Sequence, residues 1–433
     1  MTDLDTHLAR YPWMKETVAP LNSCQLRAIN LLLSNNNVFL TGAAGTGKTY
    51  VLRCFIEAAK RMGMHVPVVA STGAAAILAG GQTFHRFFGL NVATDIEALV
   101  KNALEPGKTS YLYGRIGRTQ CIILDEVSML PDYALEAAYL ICQRIKKSTK
   151  PWGGIKVIAV GDFRQLPPVV KGNRGPTPWS FLSPAWEESG FKTAMLTTPV
   201  RAVDAHFVEI LNDARLGKIS PRIKAFLDSK TVGNDAPDEY PRLYGKKIDV
   251  ENHNIIKLGQ LPGKEQTFWT EYSGNDHYVD SLKKEAPVPE ALILKVGARI
   301  MMRQNDKDDR WVNGSLGHIT DITHDSVSVK LVSGGQVSVP QSSFMYNNEM
   351  GDVLATGKNF PMTLAWATTI HKSQGATMDR ILVDLRRLWE PGQLYVALSR
   401  VRSPDGVRVV QWDEKAFKID KKVSEFHKKL LGM

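Results

Sequence analysis

In the first half of the chain, short apolar runs end abruptly in polar or glycine-rich clusters. VFL at 38–40 meets TGAAGTGKT, CIIL at 121–124 meets Asp125 and Glu126, and KVIAV at 156–160 meets GDFRQLPPV. Runs of that length bounded by turn residues predict buried strands, and the 3.6-residue periodicity of YVLRCFIEAAKRMG after the first run predicts a helix. Strands alternating with helices indicate an α/β fold. Between 261 and 353 the pattern changes. ALILKVGARIMMR, GHITDI, SVSVKLV and GQVSVP are short alternating segments broken by Gly and Asn, which predict a small antiparallel barrel with a turn at Asn313-Gly314. Alternation in LAWAT assigns Trp366 to a core.

A chain of 433 residues is long enough for two to four compact domains. No run approaches the ~18 unbroken apolar residues that cross a bilayer, so no membrane partner is expected. The start, MTDLDTHLARYPWMKE, has neither an apolar signal core nor an Arg/Ser-rich transit pattern, which predicts an intracellular, cytoplasmic protein. Cys24, Cys54, Cys121 and Cys142 are scattered, without CxxC pairs or histidines at zinc spacing, so reduced buried thiols are expected. Lys and Arg total 54 against 44 Asp and Glu, a formal charge of +10 that suits a polyanionic partner without requiring one.

The chemistry lies where the strands end. Gly42, Ala43, Ala44, Gly45, Thr46, Gly47, Lys48 and Thr49 spell GxxxxGK[ST] between a strand and a helix. In such a loop the glycines permit a tight turn whose N–H groups face phosphates, the lysine reaches the β and γ groups, and the Thr49 hydroxyl can hold Mg²⁺. Asp125 and Glu126 end the second strand, where one carboxylate can hold the Mg²⁺ shell and the other can orient and deprotonate a water. Gln165 follows the third strand, placed to sense the γ-phosphate. Together these predict an NTP hydrolase that uses Mg²⁺.

Seven blocks between about residue 20 and about 412 resemble, in order, those of superfamily 1 helicases of the Pif group, close to the RecD-like branch. They are LNSCQLRAI, the phosphate loop, ASTGAAAILAGGQTFHRFFG, DEVSM with GDFRQLPPV, MLTTPVRAVDAHFVEILNDARLG, LAWATTIHKSQGATMDRILVDL and GQLYVALSRVRS. The resemblance implies two RecA-like lobes with an SH3-like barrel inserted in the second, and 5′-to-3′ DNA unwinding driven by ATP. It implies that Gln25 reads the adenine, that Gly375 approaches the nucleotide by its backbone, and that Arg201 and Arg400 arrive from the second lobe to neutralise the γ-phosphate. Such arginine fingers are worth about 10³–10⁵ in rate. Thr72, Gly73 and His85 would grip single-stranded DNA on the first lobe; His371, Lys372, Ser373 and Gln374 would do so on the second. Phe87 and Phe88 are candidates to stack on bases, as is Phe84, although apolar packing is the preferred reading of Phe84. The chain departs from the family at Val200-Arg201-Ala202, where Phe-Arg-Gln is common, and at Cys24, where an acidic residue is usual.

The expected layout is a first lobe over 1–189 with a wedge-like insertion at about 90–116, a second lobe over 190–260 and 354–433, and the barrel over 261–353. The partners expected are single-stranded DNA and tailed or forked duplexes, handled by a monomeric motor. A translocase that does not separate strands, and a nuclease-coupled motor subunit, share these blocks. An RNA substrate also fits motor blocks that grip phosphates.

Overall fold

The computed structural model describes residues 3–71, 82–90, 95–105, 109–169, 176–201, 204–233, 240–304, 306–308, 310–311, 314–347 and 353–432. The chain forms two compact units, Met1–Ile223 with Glu390–Ser399 and Phe417–Met433, and Lys224–Trp389 with Arg400–Ala416.

The first unit is built on one parallel sheet of β1 (Val38–Gly42), β2 (Val68–Ala70), β3 (Gln82–Thr83), β4 (Cys121–Asp125), β5 (Lys156–Val160) and β6 (Lys192–Leu196). The strand order is β3-β2-β4-β5-β1-β6. Consecutive residues of the apolar runs serve opposite faces. Val38, Leu40, Ile123, Ile158 and Val160 pack with the helices Ser23–Leu33 and Lys48–Arg61. Phe39, Ile122, Leu124, Val157 and Ala159 pack with the helix Asp132–Lys146. Burial on both faces explains why these strands are continuously apolar. Because they run parallel, β1, β4 and β5 present their carboxyl ends on one rim. In the segment expected as an insertion, the helices Ile96–Ala103 and Thr109–Arg118 bury Leu99, Val100, Leu112 and Ile116 in the core of the Asp132–Lys146 face.

The second unit contains β7 (Arg242–Tyr244), β8 (Gln266–Trp269), β9 (Glu271–Gly274), β10 (Ala291–Leu294), β11 (Arg299–Met302), β12 (Leu316–Ile322), β13 (Ser326–Leu331), β14 (Gln336–Pro340), β15 (Ser342–Asn347), β16 (Val353–Asn359), β17 (Met362–Leu364), β18 (Ala367–Thr369), β19 (Ile381–Val383) and β20 (Val407–Val409). A parallel sheet runs β18-β7-β19-β20. The alternating segments form the antiparallel sheet β14-β13-β12-β11-β17, and further antiparallel pairings join β15-β16-β9 and β10-β8. Ile300, Val327, Val329 and Trp366 share a core, as expected of Trp366.

The unit boundary differs from the one expected near residue 190. β6 pairs with β1 over five residues, which carries the chain past that point within the first sheet. Residues 390–399 and 417–433, expected in the second lobe, also belong to the first unit. The helix Lys421–Leu430 shows why. Its Phe426 ring stacks on Phe181 at 4.3 Å and meets Phe163 edge-on at 5.3 Å, while Asp420 at its N-terminus accepts the Trp179 indole N–H at 2.9 Å. An aromatic cluster of this size holds the helix by burial and ring geometry together.

Beneath that helix lies a buried charge. Asp162, fully enclosed, accepts two hydrogen bonds from Arg215, from Nε at 3.0 Å and Nη2 at 2.9 Å. Burial alone would raise the carboxyl, but the guanidinium holds it down at about 2. His427 is buried with its Nε2 4.0 Å from Asp162 Oδ1, too far for a hydrogen bond. Loss of hydration, reinforced by Arg215 and Arg164, outweighs the pull of Asp162 and lowers the imidazole to about 4.

A histidine depressed in this way stays neutral in the folded protein while the unfolded chain takes up a proton below its ordinary value of 6.5. Stability is therefore expected to fall as pH drops from about 6.5 towards 4, with about 2–3 kcal/mol of the loss due to this group. Denaturant titrations at pH 7 and pH 4.5 check this. His427→Gln should lose that much less between the two pH values than the parent, and an identical loss in both proteins would refute the assignment.

Candidate functional site

The phosphate loop leaves β1 at Gly42 and enters the helix Lys48–Arg61 through Gly47, whose left-handed backbone supplies no side-chain cap, so the first-turn amides are available to an anion. Gly45 also has a positive φ of 77°, and a Cβ there would fall 2.6 Å from the Arg201 Cβ; only glycine fits. Lys48 donates to the carbonyls of Gly42 at 2.8 Å and Ala43 at 3.1 Å. Burial lowers its ammonium, and the negative charges of Asp162 and Glu126 oppose that shift. Thr49 is exposed in the first helical turn, whereas Thr46 is buried and donates to the Ala43 carbonyl at 2.8 Å, shaping the loop from within. The Ala44 N–H donates to the phenol oxygen of Tyr395 at 2.5 Å.

At the end of β4, Asp125 Oδ1 accepts the Glu126 N–H at 2.9 Å. Glu126 has φ of 51°, a left-handed conformation that disfavours any residue with a Cβ, and non-glycine residues held there cluster at functional sites. Burial, then the adjacent Glu126, raises the Asp125 carboxyl above the usual range. Two neighbouring carboxyls with an exposed hydroxyl in the phosphate-loop helix are oxygen donors suited to a hard divalent cation such as Mg²⁺. Gln165 is buried in the turn after β5, its N–H bonded to the Asp162 carbonyl at 2.9 Å.

Arg201 requires a correction. It belongs to the first unit, because the chain leaving β6 runs beside the loop, where the N–H groups of Val200 and Arg201 both donate to the Gly45 carbonyl at 2.8 and 3.0 Å. Its guanidinium donates to the Ser399 carbonyl at 3.2 Å. Gln25 lies against the loop, with Nε2 donating to the Thr46 carbonyl at 3.4 Å. Its Oε1 accepts the Asn22 N–H, completing a capping box at the start of the helix Ser23–Leu33. Asp162, Arg215 and Tyr395 were not singled out from sequence, although all three stand inside the motif blocks.

Arg400 is buried in the second unit, where Nη1 donates to the carbonyls of Ser373 at 3.0 Å and Ala376 at 3.1 Å, gathering the turn that contains Gly375. Gly375 has φ of 77° and open space where a Cβ would lie. Lys372 is exposed, and its ammonium is lowered by lost hydration, then by the charges of Arg303 and Lys247, with Glu251 acting in the opposite direction. His371 and Gln374 are half-buried beside it. Ser373 is buried and its hydroxyl donates to the Ile370 carbonyl at 2.8 Å, an intrahelical use that takes it away from a strand.

In the first unit, Thr72 and Gly73 lie outside the described residues, and His85 is half-buried with its imidazole lowered by burial. Phe87 and Phe88 are corrections. Both are buried with Phe84 in the sheet core, and the Arg115 guanidinium lies over the Phe87 ring at 4.8 Å, so neither presents a face to a base. Among the described residues there is no cluster of three metal-ligating side chains and no helix long and apolar enough to cross a membrane. The four cysteines are free and buried.

Comparison with known proteins gives this arrangement a family. Residues 23–224 match the PIF1-like helicase model. ATP-dependent DNA helicase Pif1 of Bdellovibrio bacteriovorus is 44% identical over 410 residues, covering 94% of this chain and 92% of the relative. The crystal structure of Pif1 helicase from Candida albicans superposes with a TM-score of 0.79 at 32% identity, covering 95% of this chain and 99% of that one. Pif1 from a Bacteroides species in complex with ADP-AlF4 gives 0.80 at 27% identity, covering 95% and 97%. Solved with single-stranded DNA, Bacteroides Pif1 gives 0.70 at 28% identity, covering 94% and 96%. Phosphate loop, paired carboxyls and parallel-sheet rim thus occur in a chain that matches these helicases along nearly its whole length, and the chain belongs to the PIF1-like helicase family.

Proposed function

We propose that this chain is an ATP-dependent DNA helicase that moves 5′-to-3′ on single-stranded DNA and unwinds duplexes ahead of it. The observation that carries the chemistry is the common rim of β1, β4 and β5, which assembles Lys48, Asp125, Glu126 and Gln165 in one unit. ATP supplies the phosphoryl group whose transfer to water releases energy. The loop amides and Lys48 bind its phosphates. Asp125 and Thr49 would hold Mg²⁺, which adds positive charge as the leaving group departs. Glu126 accepts a proton from the attacking water while the Gln165 amide orients that water. Arg201 neutralises charge developing on the γ-phosphate, and Arg400, carried by the second unit, is proposed to do the same.

The strand is held through its phosphates by Lys372 with His371 and Gln374, supported by the neighbouring charges of Arg303 and Lys247. Thr72, Gly73 and His85 are the proposed first-unit counterparts. We read the sheet β14-β13-β12-β11-β17 as the SH3-like element. Strand polarity follows from the family's TIHKSQGATMD block and the antiparallel insertion before it.

Lys48→Ala is expected to abolish hydrolysis while leaving nucleotide-free binding of single strands largely intact; normal turnover would remove Lys48 from the site. Glu126→Gln should bind ATP with Mg²⁺ yet hydrolyse it at least ~10²-fold more slowly. Arg201→Ala and Arg400→Ala should each depress DNA-stimulated kcat far more than nucleotide affinity, since both act on the transition state. Equal loss of the two in either variant would end that residue's role.

Polarity has its own test. A duplex with a 5′ single-stranded tail should be unwound with ATP and Mg²⁺, and one with only a 3′ tail should not. Binding to both tails should weaken steeply with salt. Displacement from the 3′ tail alone overturns the direction, and translocation without displacement from either makes the protein a plain translocase.

A further inference from the structure

Tyr395 joins two groups that a phosphate would otherwise claim. Its phenol oxygen accepts the Ala44 N–H of the phosphate loop at 2.5 Å, and the Arg215 guanidinium lies beside the same side chain, close enough to interact electrostatically. A loop amide and a guanidinium are the donors that recognise a phosphate oxygen. A phenol oxygen has two acceptor lone pairs and can meet both. Tyr395 is itself almost fully buried, so the contact is built in rather than a chance approach of a surface side chain.

The surroundings hold it there. Tyr395 stands on the helix Gln393–Leu398, which follows Gly392. A Cβ at Gly392, where φ is 82°, would lie 2.3 Å from the Gln165 carbonyl oxygen, so this helix starts hard against the turn after β5. From the other side Arg215 is fixed by its two hydrogen bonds to buried Asp162. The rest of the loop is also turned inward: Lys48 is folded onto the carbonyls of Gly42 and Ala43, and the Gly45 carbonyl accepts from both Val200 and Arg201.

We propose that Tyr395 is a further residue of the nucleotide site, holding with its phenol oxygen the place of a phosphate oxygen on the Ala44 amide until ATP displaces it. The inference rests on the phosphate-loop reading above. Arg215 is the positioning residue of this device, since it aligns the phenol and is itself aligned by Asp162. The contact opposes binding, because the nucleotide's apparent affinity is its intrinsic affinity multiplied by the fraction of molecules in which Tyr395 has left the amide. A hydrogen bond of ordinary net strength makes that a difference of about three- to tenfold. The gate acts before chemistry, so it weakens nucleotide binding and slows hydrolysis wherever ATP does not saturate the site.

The test measures the Kd of a fluorescent ATP analogue with Mg²⁺, without DNA, for the full-length parent, Tyr395→Phe and Lys48→Ala, alongside ATPase with and without single-stranded DNA. Tyr395→Phe keeps the ring and removes the oxygen. It should bind the analogue about three- to tenfold more tightly and lower the KM for ATP in the same direction, with and without DNA. Unchanged or weaker binding by folded Tyr395→Phe overturns the proposal. Lys48→Ala separates the two readings: if it binds normally, the phosphate-loop site is wrong, whereas if it loses affinity and Tyr395→Phe gains none, only the gate is wrong. A measurement on the intact site guards against misfolding of the variant. Fluorotyrosine placed at 395 should shift its ¹⁹F resonance when ATP and Mg²⁺ saturate the protein, and an unmoved resonance overturns the proposal.

Discussion

Asp162 cannot be solvated, and the first unit is organised around the cation that hydrogen-bonds it, Arg215. A carboxylate with no exposure to water would take up a proton or destabilise the fold unless its charge were met by hydrogen bonds, and Arg215 meets it with two. The two residues come from different motif blocks, the turn after β5 and the end of the helix Ala205–Leu216. Their pairing therefore locks the turn that carries Gln165 to the segment that leaves β6. Replacing such a pair by apolar residues need not weaken a protein, so strength alone does not account for it. What the pair adds is placement: Arg215 is held beside Tyr395, which reaches the phosphate loop.

Strained and self-satisfied groups occur together at this rim. Glu126 holds a positive φ, Asp125 is kept above its ordinary range, and Lys48 is bonded to its own loop. The carboxyls call for a cation and the ammonium calls for a phosphate, and bringing both ligands in together relieves the two needs at once. A site with this balance is expected to bind nucleotide and metal cooperatively, because each removes an electrostatic penalty felt by the other.

The parallel sheet and its chemistry were legible because local rules wrote them. Continuous apolar runs reflect burial on both faces, and the residues after each run fall on the rim whatever the rest of the chain does. Arg201 and the lobe boundary were less legible because β6, KTAML, is a strand whose burial alternates instead of running solid. Its pairing with β1 is a long-range event that no local pattern announces. The stacking reading of Phe87 and Phe88 failed for a related reason, while Phe84 packs in the core as preferred. Phe84, Phe87 and Phe88 fall at helical spacing in a block that resembles a strand-gripping motif, but that spacing equally describes one face of a short helix turned inward, and the core took all three.

The completion of the first unit by late segments has a consequence for how its site is specified. Residues 390–399 and 417–433 supply Tyr395 to the loop, Asp420 to Trp179, Phe426 to the aromatic cluster and His427 to the neighbourhood of Asp162. Each contact joins residues separated by more than two hundred positions, so each must await loop closure over most of the chain. Phosphate loop, paired carboxyls and the Asp162–Arg215 pair can form from the first 223 residues, but the contact of Tyr395 with the loop cannot. The binding elements are thus local in sequence while the elements that restrain them are remote. That separation lets substitutions in the last block change restraint on the nucleotide while leaving the phosphate-binding residues themselves untouched.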